Sequence, residues 1–356
     1  MSSTSNRLLG IEFAYSLSII GCVMYIFMFT IGDKVRSILS HEEYSLILDF
    51  FPALFFFLNG MTVTLTMRDK RISTRKLLAY LGKRGSVLFL IGLAMCIIWP
   101  MNIFIASGLM YFLSQFLALW NNIVLRILIV VIIVLGFTLL YLGVPTTVEY
   151  SAPTLQGGNM INLSGFLFFN GYFSIIPWSI FFLAGMQFGR LNISTKGWLP
   201  PSSLVGIGLV VVSFFIQHYS SPLQERFDAV EHHDSLFLKL RFFYLAFIFY
   251  AVGISVCLVN FFIFAFKSFD SKRILKFTQT ISSMKYSVLF FQVMVGLLTM
   301  AVTNSPIFMN KIVLAIYILV ASFLTFYLVI MWKKRINDQG PVEWVVKRIA
   351  GSTKNS

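Results

Sequence analysis

Apolar residues run through this chain in ten long blocks, separated by short polar stretches. The blocks cover residues 8–31, 48–67, 85–101, 103–119, 123–144, 174–190, 203–218, 238–264, 284–303 and 312–332. A helix needs about 20 apolar residues to cross a bilayer, and these blocks cluster around that length. The pattern predicts an all-α fold: a polytopic transmembrane helix bundle of about ten spans. The third and fourth blocks are nearly continuous, with Pro100 marking the turn between them. The stretch 160–173 is apolar but short, which suits an interfacial or re-entrant segment.

The polar punctuation sets an orientation. Residues 68–84 carry seven cations (Arg68, Lys70, Arg71, Arg75, Lys76, Lys83 and Arg84) and one acid, Asp69. Lys and Arg are retained on the cytoplasmic side, so this loop is predicted to lie inside. Ten spans then put both termini in the cytoplasm. In that arrangement 22 Lys and Arg fall at inner segments and four at outer ones, Lys34, Arg36, Arg226 and Lys311. No linker or second domain is visible: residues 1–336 read as one bundle and 337–356 as a short cytoplasmic interfacial tail. In that tail, Pro341 is expected to open an amphipathic helix that docks back on the bundle, with Trp344 in the headgroup layer.

Composition agrees with a membrane protein. Of 356 residues, 58% are hydrophobic and 12% charged, against roughly 25% charged in a soluble domain. The net charge of +14 would suggest nucleic acid in a soluble chain. Here the cations sit at span ends, where they set topology and meet anionic headgroups, so no nucleic-acid partner is expected. Cys22, Cys96 and Cys257 all lie in apolar runs without CxxC spacing, which supports neither a disulfide framework nor a metal site. The N-terminal run lacks a small-residue cleavage site and reads as a retained first span.

Ionisable groups inside spans are costly and therefore draw notice. Glu12 lies about one turn into the first span, with Tyr15 three residues on along the same face. Asn59, Thr62 and Thr66 share one face of span 2, and Ser107, Tyr111, Ser114 and Gln115 one face of span 4. Such stripes line polar cavities or join packed helices by hydrogen bonds. Gly185 and Gly189 form a small-xxx-small pair that marks a close helix contact. The histidines His41, His218, His232 and His233 map to outer loops or outer span ends. His218, at the mouth of span 7, and His41 are candidate general bases. The run 225–234 (ERFDAVEHHD) lacks helical ligand spacing and reads as a solvated acidic loop.

Several stretches resemble known membrane families. MWKKRINDQGPVEWVVKRIAG (331–351) is similar to the ending of the YeiB-like family of bacterial membrane proteins, with Gly340, Pro341, Glu343, Trp344 and Arg348 in register. FNGYFSIIPWSIFFLAGMQFGR (169–190) resembles an element shared with the heparan-α-glucosaminide N-acetyltransferase-like family. FFFLNG (55–60) and KRGSVLFLIGL (83–93) resemble the region around the second and third spans of both, and of the acyltransferase-3 family. RLLGIEFAYSLSIIG (7–21) resembles their first span, with Glu12 in place of Asp and Tyr15–Ser16 in place of Arg-Gly. Ile26 stands where the acyltransferase-3 family has a His and the YeiB-like family an Asn, and Asn102 where many relatives have an Asp.

The resemblance implies a bacterial cytoplasmic (inner) membrane protein that moves an acyl group from a cytoplasmic acyl-CoA, acetyl-CoA in the first instance. The acceptor would be an extracytoplasmic envelope glycan or sugar. In that scheme His218, His41 and Glu12 are the catalytic candidates. Arg71, Arg75, Lys76 and Arg84 would take CoA phosphates, helped by Arg273, Lys276 and Lys285, while Tyr15 and Asn59 would line the path of the thioester arm. The alternative is a non-enzymatic relative that transports or binds a small molecule, or assists export. Homodimerisation is left open by the sequence. A single cysteine placed in 68–84 is expected to be silent toward an impermeant maleimide in intact cells, and one in 219–237 to react. Labelling of the first from outside would reverse the orientation.

Overall fold

A computed structural model describes residues 3–30, 41–68, 73–96, 103–141, 168, 173–191, 199–228, 234–266, 272–303 and 311–351. Twelve helices occupy them: α1 Ser3–Thr30, α2 His41–Met67, α3 Thr74–Cys96, α4 Phe104–Leu117, α5 Asn122–Tyr141, α6 Ile175–Arg190, α7 Leu199–Asp228, α8 Asp234–Ala265, α9 Lys272–Ser283, α10 Lys285–Thr303, α11 Lys311–Arg335 and α12 Pro341–Ala350. No strand occurs among the described residues. Seven helices, α1, α2, α3, α5, α7, α8 and α11, are long and apolar enough to cross a membrane. α9 and α10, bent by 81° at Met284, make an eighth if taken as one span. α4 and α6 have 14 and 16 residues, short of a full crossing by length alone. The apolar stretch 160–173 and the Pro100 turn lie outside the described residues, apart from Phe168 and Phe173.

Several boundaries differ from the expectation. α2 begins at His41 rather than 48, and α7 runs on to Asp228 rather than ending at 218. The run 225–234, expected as a loop, is therefore helix over 225–228. The third span begins at Thr74, not 85, so the basic loop is partly helix. Lys and Arg are good helix formers, and their long stems let the charged ends reach water. Charge therefore sets where a helix meets the interface, not where it starts. The segment 272–283, expected as an inner loop, forms the amphipathic helix α9.

The chain divides into two compact units. One comprises Met1–Phe55 with Phe261–Ser352, the other Phe56–Asn260. In the second unit, helices meet where side chains vanish. A Cβ on Gly60 would fall 1.9 Å from the Phe182 carbonyl oxygen, and one on Gly185 would fall 1.8 Å from that of Phe57. A Cβ on Gly189 would reach Thr64 Oγ1 at 2.0 Å. Residue number rises in the same sense on both helices, so α2 and α6 run parallel in backbone contact. This is the close contact that the Gly185/Gly189 spacing foretold, with α2 as its partner. Gly85 and Gly108 let α3 and α4 approach in the same way, but antiparallel, from Gly82–Gln115 to Gly92–Ile105. α7 and α8 are antiparallel too: Gly206 faces Gly253, Ser213 donates to the Ala246 carbonyl at 2.8 Å, and Asn260 donates to Ser202 and Ser203.

At one end of this unit, arginines answer the carbonyls that helix ends leave open. Arg68 donates to the carbonyls of Arg190 and Leu191 at 2.6 and 2.8 Å. Arg190 donates to Trp120 O at 2.6 Å, to Asn122 Oδ1 at 2.9 Å and to the Leu117 and Ala118 carbonyls at 3.3 Å. The C-terminal ends of α2, α6 and α4 are thereby tied together. By contrast α5 and α7 present bare Ile, Val, Leu and Phe side chains, such as Ile127, Val134, Leu204 and Phe215, as helices bathed in lipid do.

In the first unit α1 packs on the end of α8, with Phe13 4.7 Å from Phe262 between ring centroids. It also lies along α10 in parallel: Tyr15 meets Lys285 and, further along both helices, Gln292 donates to the Val23 carbonyl at 3.0 Å. α12 seats Val342, Val346 and Ala350 inward. Replacing Gly185 with Leu should lower detergent stability by ~1–3 kcal/mol or more, because a backbone carbonyl cannot move aside as a side chain does. Gly208→Ala, which meets nothing within 4 Å, should be neutral or slightly stabilising. Equal melting temperatures for the two variants would contradict the contact.

Candidate functional site

The first unit encloses a cluster of polar groups in apolar surroundings. Lys285 opens α10 and is only 7% exposed. Its ammonium lies 4.2 Å from the Tyr15 ring centroid, 5.4 Å from Tyr286 and 5.8 Å from Phe55. Tyr15 and Tyr286 both meet Phe55 edge-on, at 6.5 and 6.0 Å, so three rings from α1, α2 and α10 box the cation. Each ring face attracts a desolvated cation by about 0.5–2 kcal/mol. One turn before Tyr15, Glu12 receives a hydrogen bond from the Gln279 side chain of α9, while its Oε2 is buried with no hydrogen-bond partner. Ser16 donates to the Thr278 carbonyl at 2.9 Å, and Lys333 of α11 donates to Thr280 Oγ1 at 2.9 Å. Further along the α1–α10 seam, Gln292 Oε1 is a second buried acceptor without a partner. An orphaned acceptor in such surroundings costs roughly 1–3 kcal/mol, so Glu12 is held at an expense to stability.

The bend before α10 is secured from the tail. Glu343 of α12 accepts hydrogen bonds from the Tyr286 amide at 2.7 Å, the Ser287 amide at 3.3 Å and the Ser287 hydroxyl. The Val342 amide donates back to Ser287 Oγ at 3.1 Å. A Cβ on Gly340 would fall 2.1 Å from that same hydroxyl, so only glycine admits the approach. Glu343 thus supplies, from a distant helix, the acceptor that an N-cap residue normally gives its own helix.

The second unit holds another polar group. Asn59 is fully buried and accepts a 2.9 Å hydrogen bond from the Tyr111 hydroxyl. The Arg84 guanidinium lies 4.5 Å from the Tyr111 ring centroid and 3.5 Å from the Tyr80 hydroxyl. The two sequence stripes meet here, through Asn59 and Tyr111. Thr62, Thr66 and Ser114 instead return their hydroxyls to their own helices.

The remaining candidates are placed as follows. Arg75, Lys76 and Lys83 are exposed on α3. His218 is exposed on α7, its ring edge-on to Tyr219 at 5.6 Å. Arg71 and the side chains of His41, Arg273 and Lys276 lie outside the described residues, as do His232, His233 and the side chains of the acidic run before them. Sequence reasoning passed over Gln279, Tyr286 and Gln292. Gln292, a lone amide in an apolar run, carried a usable signal; Tyr286 did not, because aromatics are common throughout the chain.

No family model matches the chain, and no curated protein or solved structure matches it.

Burial pushes the Glu343 carboxyl above its usual 4.5, against the opposing pull of its hydrogen bonds from Ser287 and Tyr286. The folded chain then holds this proton more tightly than the unfolded one. Its contribution to stability is complete below pH 4.5 and is lost as pH rises through the folded value. The wild type should therefore lose melting temperature across that window relative to Glu343→Gln, whose amide does not titrate. A difference between the two that stays constant with pH would refute the assignment.

Proposed function

We propose that this chain is a membrane-embedded acyltransferase of the bacterial cytoplasmic membrane, acting from a cytoplasmic acyl-CoA, acetyl-CoA in the first instance, to an extracytoplasmic glycan or sugar. The observation that carries the reading is the unpartnered Oε2 of Glu12, held by Gln279 one turn from Tyr15 and the boxed Lys285. A half-buried carboxylate with one enclosed, unpartnered oxygen is suited to take a proton from an incoming hydroxyl. In the transfer, the acceptor oxygen bonds to the thioester carbonyl carbon and its proton passes to Glu12. The C–S bond then breaks, and the departing CoA thiolate takes that proton from Glu12, which returns the carboxylate to its starting state. Arg75 and Lys76, exposed at the start of α3, are free to meet the donor phosphates.

The reading takes ten crossings with both termini inside. Parity supports the number. α2 and α6 are parallel while α3 and α4 are antiparallel neighbours, so an odd number of crossings separates α2 from α6. Three, through α3, α4 and α5, meets that requirement if the short α4 crosses as well.

A second reading has its own observation. Arg68 and Arg84, two cations of the basic loop, are engaged by carbonyls and by Tyr111, as a loop with a structural purpose would have them. On that reading the chain binds, transports or helps export a small molecule without turnover. Purified protein in nanodiscs separates the two. Under the enzymatic reading Glu12→Gln should cut acetyl-CoA turnover by about 10²-fold or more and leave acetyl-CoA affinity unchanged. Arg75→Gln with Lys76→Gln should weaken binding about tenfold or more. Binding without turnover in the wild type favours the second reading, and no binding at all defeats the acyl-CoA assignment.

A further inference from the structure

We infer that the C-terminal helix α12 is a lipid-reading latch: its outer face rests on an anionic membrane surface, and its inner face, through Glu343, holds the first turn of α10 so that Lys285 stays in its aromatic box. The inference does not depend on acyl transfer.

The latch begins with a local electrostatic conflict. Lys285 is the first residue of α10, at the positive end of the helix dipole, where a cation is unfavourable. Its neighbours Tyr286 and Ser287 also present amides that no preceding turn can satisfy. The Glu343 carboxyl resolves both problems by accepting those two amides and the Ser287 hydroxyl. Gly340 and the Val342 amide close on the same serine. Three positions of the tail, Gly340, Val342 and Glu343, are therefore shaped around one turn of α10. Without that acceptor the turn frays, and Lys285 is the residue that frays first.

The other face of α12 is built for an interface. Val342, Val346 and Ala350 point inward, while Trp344, Lys347, Arg348 and Ile349 are exposed. The Arg348 guanidinium lies 5.1 Å from the Trp344 ring centroid, which puts a cation beside an aromatic anchor. Lys334, Arg335 and Ile336, just before the tail, are exposed as well. Four cations and three apolar side chains with no acid among them are complementary to anionic headgroups over acyl chains. Asp338 is the exposed acid of the adjoining turn. Attraction to anionic lipid would press α12 onto the bundle and tighten the Glu343 cap.

The test reads Lys285 directly. The full chain is reconstituted in nanodiscs of phosphatidylcholine, with or without added phosphatidylglycerol. It is then treated with an amine-reactive ester, and modification of Lys285 is quantified by peptide mass spectrometry. Lys285 of the wild type should be better protected in the anionic discs. Lys347→Gln with Arg348→Gln should abolish that difference. Glu343→Ala should raise Lys285 reactivity about tenfold in both lipids, the ratio expected when a cap worth ~1.4 kcal/mol is lost. Glu343→Gln, which keeps an acceptor oxygen, should restore most of the protection, and so separates loss of the cap from loss of the fold. Unchanged reactivity in Glu343→Ala overturns the latch. A wild type indifferent to phosphatidylglycerol, or a double variant that still responds to it, overturns the lipid-reading face.

Discussion

Hydrocarbon offers no water, so each buried donor and acceptor in this chain has to be answered from within the protein. The three sets of contacts that organise the structure follow from that constraint. Helix backbones close their own hydrogen bonds, which makes the fold all-helical. Helix ends cannot do so, and distant charged side chains come to them: Arg68 and Arg190 to carbonyls, Glu343 to amides. Polar side chains inside the bundle pair across helices, as Asn59 does with Tyr111 and Gln292 with the Val23 carbonyl. Glu12 Oε2 and Gln292 Oε1 are exceptions, two buried acceptors of the first unit left unanswered.

The second consequence concerns how the helices attract one another. Lipid tails are as apolar as leucine, so burial drives helix association weakly and close packing has to supply the rest. Glycines at 60, 185, 85, 108, 206 and 253 let backbones approach where any Cβ would collide. Such contacts are rigid, since the opposing atoms are carbonyls and amides. They give the second unit a stiff frame, while α5 and α7 complete its lipid-facing side with little burial of their own.

The first unit is organised differently. Its helices meet through aromatic rings and charges, and Lys285, the most enclosed cation among the described residues, depends on residues from three helices and on a cap from a fourth. Stability and the polar cluster are coupled there, because Glu12 and Lys285 are ionisable groups drawn into apolar surroundings at a cost.

The sequence by itself determined much of the helix pattern. Among the described residues a helix falls in each of the ten apolar blocks, because length and apolarity along one segment suffice when every backbone bond is made within that segment. It also announced the Gly185/Gly189 contact, since a four-residue spacing of small residues puts both on one helix face. What it could not specify was the partner of any face. That α2 receives those glycines, that Tyr15 and Phe55 fold around Lys285, and that Glu343 caps α10 are pairings of residues far apart in the chain. No local period encodes them. The start of α3 inside the basic loop and the existence of α9 escaped for a related reason: hydropathy reports where a segment meets lipid, whereas a helix continues for as long as its amides find carbonyls, and tertiary contacts decide where that ends.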